Sequence, residues 1–177
     1  RSRLYAFLYN FRFRRSRLSQ SLVQHRRTTA GSATGKVLEL GPGTGANLGY
    51  YRESVEVTLL EINPYMIDSL VKKLPLLDYS PSIVRGTAET LPFKDSVFDS
   101  VVVTLALASI DRLNLALLEI LRVMKKSGGF YFLEHVDSSD KRIHFLQMSL
   151  GKLWSFVTCG DKLNCNIAKA IHAEGFN

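Results

Sequence analysis

The feature that most constrains the fold of this chain is an apolar segment that runs directly into a glycine-rich turn, VLELGPGTGANLGYY at residues 37–51. Residues 36–40 have the pattern of a short buried strand, and Gly41, Gly43 and Gly45 follow within five positions. Glycines let a ligand approach the main chain, and a helix that starts beyond them offers backbone N–H groups. We therefore expect an α-helix directly after the glycines, although the same residues could serve only a tight turn.

Strand and helix patterns alternate along the rest of the chain, which indicates an α/β domain with a largely parallel sheet. Asn63 and Pro64 predict the N-cap and the first residue of one helix. An apolar stripe from Leu117 to Met124 predicts another, which continues to Lys126 and stops at Gly128 and Gly129. An amphipathic helix is predicted over residues 143–157. Four further strands are predicted at residues 56–61, 83–85, 98–104 and 130–135.

Charge divides the chain into an N-terminal arm, residues 1–30, and a domain, residues 31–177. The arm holds eight arginines interleaved with aromatic residues and no acidic residue, whereas the domain is near neutral. This composition suits a membrane surface. It also fits an organelle transit segment, a nucleic-acid contact, or a helix that packs on the domain with its arginines in solvent. Residues 31–35, GSATG, predict a flexible joint between the two parts.

The two cysteines, Cys159 and Cys165, are too few for a disulfide framework, and no metal-ligand pattern accompanies them. We therefore expect reduced thiols and no metal site. No run of 18 uncharged apolar residues occurs, so the sequence predicts no membrane-spanning helix.

Glu61 ends the second predicted strand, 20 residues after Gly41. An acid at this place can accept hydrogen bonds from both hydroxyls of a ribose, so the two features together indicate an adenosine-type ligand. Gly41, Gly43 and Ala46 also satisfy the G-x-G-x-x-(G/A) pattern of dinucleotide enzymes, and a nucleotide-dependent oxidoreductase stays open at this point.

Five motifs follow one another along the chain: ELGPGTG (39–45), EINPYM (61–66), GTAETLPF (86–93), FDSVV (98–102) and EILRVMKKSGG (119–129). In these motifs the chain resembles the class I S-adenosylmethionine (SAM)-dependent methyltransferases over about residues 36–136. The resemblance implies SAM as the cofactor and a Rossmann-like fold, a mostly parallel sheet with helices on both faces. The family's sheet has seven strands, so we expect this chain to be incomplete at its C-terminus and to lack the last two.

A second set of residues consists of GTGAN (43–47), residues 104–107, FLEHV (132–136), Trp154, Gly160 and Leu163. In these the chain resembles more narrowly the methyltransferase-like thiol S-methyltransferases, from which Pro42 and CGD (159–161) depart. Those are membrane-associated enzymes of the endoplasmic reticulum and lipid droplets. The likeness implies a small apolar acceptor, a thiol, and an intracellular location at the endoplasmic reticulum or another membrane surface. A quinone or other small-molecule acceptor, and a non-catalytic SAM-fold subunit, stay open. We expect a membrane contact through the arm and no nucleic-acid partner.

The resemblance also implies roles for single residues. Glu39 would face the methionine ammonium, Glu61 would hold the ribose hydroxyls, and Ile62 would cover one face of adenine. Thr87 stands where the family has an acid for the adenine amino group. No catalytic residue is identified, and His135 and Asp161 are the candidates for a general base. The full predicted cofactor set is Glu39, Gly41, Pro42, Gly43, Thr44, Gly45, Glu61, Ile62, Asn63, Thr87, Ala88, Glu89, Thr104 and Leu105.

Overall fold

A computed structural model describes residues 17–134, 167–174 and 176. The predicted helix at residues 143–157 therefore lies outside the described residues. Within them the chain forms four α-helices and five β-strands. In chain order these are α1 (Arg17–Thr29), β1 (Lys36–Leu40), β2 (Glu56–Glu61), α2 (Pro64–Val71), β3 (Ser82–Arg85), β4 (Phe98–Thr104), α3 (Leu113–Val123), β5 (Met124–Leu133) and α4 (Ile167–Ala173).

The five strands pair in parallel in the order β3-β2-β1-β4-β5. β1 lies at the centre, where Glu39 is in register with Leu59 of β2 and Val102 of β4. The direction of strand addition reverses between β1 and β4, so the carboxyl ends of these two strands form a topological switch point, and the end of β2 lies next to β1. Open parallel sheets bind their ligands at such a point.

Apolar layers cover both faces of the sheet, because alternate residues of a strand point to opposite sides. On one face Leu38 packs with Leu117 and Ile120 of α3. On the other face Val37 packs with Leu70 of α2. Full burial of each of these side chains contributes about 2 kcal/mol. The predicted fold, a parallel sheet with helices on both faces, is confirmed.

The start of α2 follows the prediction from Asn63 and Pro64. The Asn63 side-chain oxygen accepts a hydrogen bond from the Tyr65 N–H at 3.0 Å, and Pro64 occupies the first helical position. This cap begins the helix two residues after β2 ends, directly at the switch point.

The predicted helix after the glycines is wrong, because only a 3-10 turn, Leu48–Tyr50, follows them. Gly49 lies inside that turn, and a glycine in a helix interior costs about 1 kcal/mol. The preceding side chain, Asn47, is also fully engaged in buried hydrogen bonds to Glu39 and Thr104. The local sequence therefore favours a short turn that fixes Asn47.

The predicted C-terminal end of the helix that contains Leu117 is also wrong. α3 stops at Val123 and β5 begins at Met124, well before Gly128. The chain changes from helix to strand early because β4 provides hydrogen-bond partners for its backbone. Phe98 pairs with Met124, and the Val97 N–H donates to the Val123 carbonyl at 2.8 Å.

The residues between α1 and β1 contact the domain at several points, and the flexible joint over residues 31–35 stays a prediction. Ala30 and Ala33 are fully buried, and the Thr34 N–H donates to the Ser100 hydroxyl at 3.0 Å. The division of the chain into an arm and a domain stays a prediction. None of the described helices has the length and apolar character needed to cross a membrane.

Candidate functional site

The glycine loop turns sharply where β1 ends. Gly41, Gly43 and Gly45 all have φ values near +60° to +80°, a region that other residues rarely adopt. A Cβ on Gly41 would lie 2.8 Å from the Cβ of Ala106, in the loop that follows β4. The glycines therefore allow the loops after β1 and β4 to approach each other at the switch point.

Glu61 is fixed by backbone amides at the end of β2. Its side chain is buried, one oxygen accepts the Gly43 N–H at 3.0 Å, and the other accepts the Asn63 N–H at 2.8 Å. A carboxylate has about four acceptor positions, and these two bonds use half of them. The Glu61 carboxylate is thus pre-positioned at the cleft and keeps the capacity to accept further donors.

Glu39 is buried at the centre of the sheet. Its carboxyl oxygens accept hydrogen bonds from the Tyr51 hydroxyl at 2.8 Å and the Asn47 amide at 2.9 Å. Burial raises the pKa of Glu39 to about 7, although both hydrogen bonds and the nearby Arg26 guanidinium lower it. Burial and the adjacent Glu39 also raise the pKa of the Tyr51 hydroxyl, which remains a donor.

A network of hydrogen bonds links Glu39 to the glycine loop, to β4 and to α1. The Asn47 amide donates to Glu39 and also to the Thr104 hydroxyl at 3.0 Å. The Asn47 oxygen accepts from the Arg26 guanidinium of α1 at 2.6 Å. The network therefore fastens α1, the glycine loop and the end of β4 around one buried carboxyl group.

These groups line one cleft of about 690 Å³ at the carboxyl edge of the sheet, a volume typical of small-molecule sites. Thr44 and Gly45 do not line it, and Gly45 instead packs against Leu48 and Leu70. The other twelve predicted cofactor residues all do: Glu39, Gly41, Pro42, Gly43, Glu61, Ile62, Asn63, Thr87, Ala88, Glu89, Thr104 and Leu105. Their roles toward a cofactor stay predictions.

Thr87 is engaged within its own loop. Its hydroxyl donates to the Glu89 carboxylate. Partial burial raises the pKa of Glu89, but this bond, backbone amides that include that of Arg112, and the Arg112 charge together bring the pKa below its usual value. The pair offers an ionised carboxylate at the side of the cleft beyond β3.

The E-x-x-R part of the last sequence motif holds this same loop. The Arg122 guanidinium of α3 donates to the carbonyls of Leu91 and Phe93 at 3.0 and 2.8 Å. Glu119 accepts the Leu91 N–H at 2.7 Å, and its hydrogen bond from Arg122 lowers its pKa. The motif thus anchors the segment that forms one wall of the cleft and does not itself enter it.

The loop after β4 forms the opposite wall. Leu105 has a φ of 54°, and its N–H donates to the Leu133 carbonyl at 2.7 Å. The Glu134 carboxylate accepts the N–H groups of Ala106 and Leu107 at 2.7 and 2.6 Å. Contacts with the end of β5 therefore hold this strained turn in place. Strained backbone of this kind is common near functional sites, where the surrounding structure holds it.

Arg26 and Asn47 are among the cleft-lining residues that were not predicted from the sequence, and the Glu39 partner Tyr51 was not predicted either. Asn47 lies within the glycine motif, and its position eight residues after Glu39 was a usable signal. Arg26 carried none, because it lies among other arginines of the arm. The base candidates His135 and Asp161, with Trp154, lie outside the described residues. Within the described ranges no three His, Cys, Asp or Glu side chains are grouped as metal ligands.

Comparison with known proteins identifies the family. The sequence profile of the family described as "Methyltransferase domain" matches residues 38–132, which is more than half of the chain. The chain belongs to this family. Membership implies S-adenosylmethionine as the methyl donor, and the matched region contains Glu39, the glycine loop, Glu61 and Thr104.

Curated relatives of this methyltransferase domain include two kinds of methyltransferase. Human thiol S-methyltransferase TMT1A is 31% identical over 145 residues, 80% of this chain and 59% of that protein. Human TMT1B is 38% identical over 109 residues, 59% of this chain and 45% of that protein. The ubiquinone/menaquinone biosynthesis C-methyltransferase UbiE of Bartonella bacilliformis is 32% identical over 68% of this chain and 47% of that protein. The chain thus spans about half the length of these relatives.

Solved structures share the fold. The YcgJ protein of Bacillus subtilis superposes with a TM-score of 0.72 at 22% identity and covers 88% of this chain and 67% of its own. The [4+2]-cyclase SpnF superposes with a TM-score of 0.67 at 21% identity, over 90% of this chain and 56% of its own. Likeness at such identities concerns the fold alone.

Proposed function

We propose that this protein transfers a methyl group from S-adenosylmethionine to a small, apolar acceptor, and that the acceptor is a thiol. One observation carries the first part: two buried carboxyl groups, Glu39 and Glu61, meet a glycine loop in one cleft at the switch point. The thiol acceptor is supported by the similarity to the human thiol S-methyltransferases TMT1A and TMT1B.

The residues of the cleft fit this cofactor. SAM is a cation with two ribose hydroxyls, an adenine ring and an amino-acid end. Glu61 retains acceptor capacity for the hydroxyls, and Glu39 offers a carboxyl group to the ammonium. Ile62 is 45% exposed and lines the cleft, so its side chain can cover an aromatic ring. Pro42 has no N–H to donate, so the loop would act here mainly through shape.

Catalysis in this proposal is mainly positioning. When bound, SAM supplies an activated methyl group whose leaving group is a neutral thioether. The protein has to hold the acceptor in line at near-attack distance and keep water out. Thr104, Leu105 and Ala106 form the wall on which we place the acceptor. A thiol acceptor must also lose its proton, because the thiolate is the nucleophile. His135 and Asp161 remain the proposed bases.

A second candidate is methylation of a quinone-type ring carbon, which the similarity to UbiE favours. The two candidates are separated by an acceptor competition. The 177-residue chain is incubated with methyl-labelled SAM, a small aromatic thiol and a hydroquinone at equal concentration, and the products are resolved by mass spectrometry. Label on sulfur supports the thiol, and label on a ring carbon supports the alternative. Cofactor binding without label transfer to either acceptor would favour a non-catalytic subunit.

We further propose that the arm contacts a membrane surface, such as that of the endoplasmic reticulum. The arginines of the arm other than the buried Arg26, its aromatic residues and its lack of acids support this, because such sequences bind anionic headgroups. Co-sedimentation with vesicles that contain phosphatidylserine, an anionic lipid of the cytoplasmic leaflet, tests the contact. Binding that disappears with neutral vesicles supports it, and equal recovery with both lipids argues against it.

A further inference from the structure

Arg26 is a charged residue of the cleft for which the proposed mechanism has no role. Its neighbours on α1, His25 and Arg27, are exposed. Arg26 itself is only 9% exposed and lines the cleft. A buried guanidinium is costly unless it is paired, so its inward position calls for partners.

The orientation of Arg26 is set by Asn47. Its Nη1 donates to the Asn47 oxygen at 2.6 Å, while the Asn47 nitrogen donates to Glu39 at 2.9 Å. These two bonds fix the orientation of the Asn47 amide, with its oxygen toward the guanidinium and its nitrogen toward the carboxyl group. A guanidinium has five N–H donors in a planar fork, which suits bidentate binding of a carboxylate.

We propose that Arg26 binds the α-carboxylate at the amino-acid end of the cofactor, an inference that rests on the proposed function. An amino-acid group carries an ammonium and a carboxylate on one carbon atom. The cleft offers the complementary pair, Glu39 and Arg26, joined through Asn47. Helix α1, which precedes the matched family region, is then part of the cofactor site.

The competing explanation is structural: Arg26 would only offset the charge of Glu39 and tether α1 to the glycine loop. The two explanations differ in which ligands lose affinity when Arg26 is replaced. A structural loss weakens every ligand of the cleft alike, whereas loss of a carboxylate contact weakens only ligands that carry this group.

The test uses two ligands that differ only in the carboxylate, S-adenosylhomocysteine and S-adenosyl-3-thiopropylamine. Isothermal titration measures both with the wild-type 177-residue chain, Arg26→Met, Arg26→Lys and the control Arg27→Met. Arg26→Met is expected to weaken the binding of S-adenosylhomocysteine by about 10- to 100-fold, the range of charge-assisted hydrogen bonds. The affinity of Arg26→Met for the thiopropylamine should change by less than about 2-fold. Arg26→Lys keeps the charge and should lose less affinity for S-adenosylhomocysteine, and Arg27→Met should bind both ligands as wild type does.

Equal weakening of both ligands in the Arg26 variants would overturn the inference in favour of the structural role. Unchanged binding of S-adenosylhomocysteine would also overturn it. If Arg26→Met does not fold, the same comparison in Arg26→Lys decides, because a selective loss supports the contact and a uniform loss rejects it. If wild type binds neither ligand, the proposed function fails first and the inference falls with it.

Discussion

At the scale of single residues, Glu39 makes the stability of the protein depend on pH. Burial raises its pKa from 4.5 to about 7. Between these values the folded protein holds a proton that the unfolded chain has released. The free energy of unfolding contributed by Glu39 therefore falls as pH rises from 4.5 to 7, and it is constant above.

We predict that the free energy of unfolding of wild type, measured relative to that of Glu39→Gln, falls by about 3 kcal/mol as pH rises from 4.5 to 7. The magnitude follows because each unit of pKa shift corresponds to about 1.4 kcal/mol. Urea titrations over this pH range measure it. Glu56→Gln is the control, because Glu56 is exposed at the start of β2. A difference that does not change with pH would mean that Glu39 is ionised in the folded protein throughout.

Glu61 is the residue on which the ribose assignment depends. Glu61→Gln keeps the size of the side chain but removes its charge. We predict that its affinity for S-adenosylhomocysteine falls by about 1.5–3 kcal/mol, the value of hydrogen bonds to a charged group. Isothermal titration measures this, again with Glu56→Gln as the control on the same strand. An unchanged dissociation constant would show that Glu61 only caps the Gly43 and Asn63 amides.

At the scale of elements, the glycine loop depends on close packing as much as on ligand access. A Cβ on Gly45, which has a φ of 79°, would lie 2.4 Å from a methyl carbon of Leu48 and 2.9 Å from one of Leu70. Gly49, four residues later, has open space around the corresponding position.

We predict that Gly45→Ala lowers the free energy of unfolding by about 2–4 kcal/mol, through left-handed backbone strain and overpacking. Gly49→Ala should be neutral or should stabilise by up to about 1 kcal/mol. Urea unfolding of the two variants makes the comparison. Similar losses at both positions would contradict the packing that the structure shows.

The same elements show what a sequence can predict. The Asn63-Pro64 start of α2 was predictable because capping is local chemistry. The strands β1, β2 and β4 were predictable from their buried apolar runs. The turn after the glycines was not, because Asn47 is held there by Thr104 at the end of β4 and by Arg26 of α1, which come from distant parts of the chain. For the same reason, the early start of β5 depends on pairing with β4.

At the scale of the whole molecule, the alternation of strands and helices and the order of the motifs were sufficient to predict the fold, and twelve of the predicted cofactor residues line one cleft. The place of Arg26 in the cleft could not be predicted, because it arises only when α1 packs against the glycine loop. The fold does not fix the chemistry either, since the [4+2]-cyclase SpnF shares it. The proposed reaction therefore rests on the cleft and on the relatives.

Cofactor binding decides whether the cleft is a site for S-adenosylmethionine. The 177-residue chain is titrated calorimetrically with S-adenosylhomocysteine and, separately, with NADH, after circular dichroism has established that the sample is folded. We predict saturable one-to-one binding of S-adenosylhomocysteine and no binding of NADH, because Glu39, Glu61 and Arg26 match an adenosyl amino acid. A folded sample that binds NADH, or that gives no heat with S-adenosylhomocysteine, would contradict it.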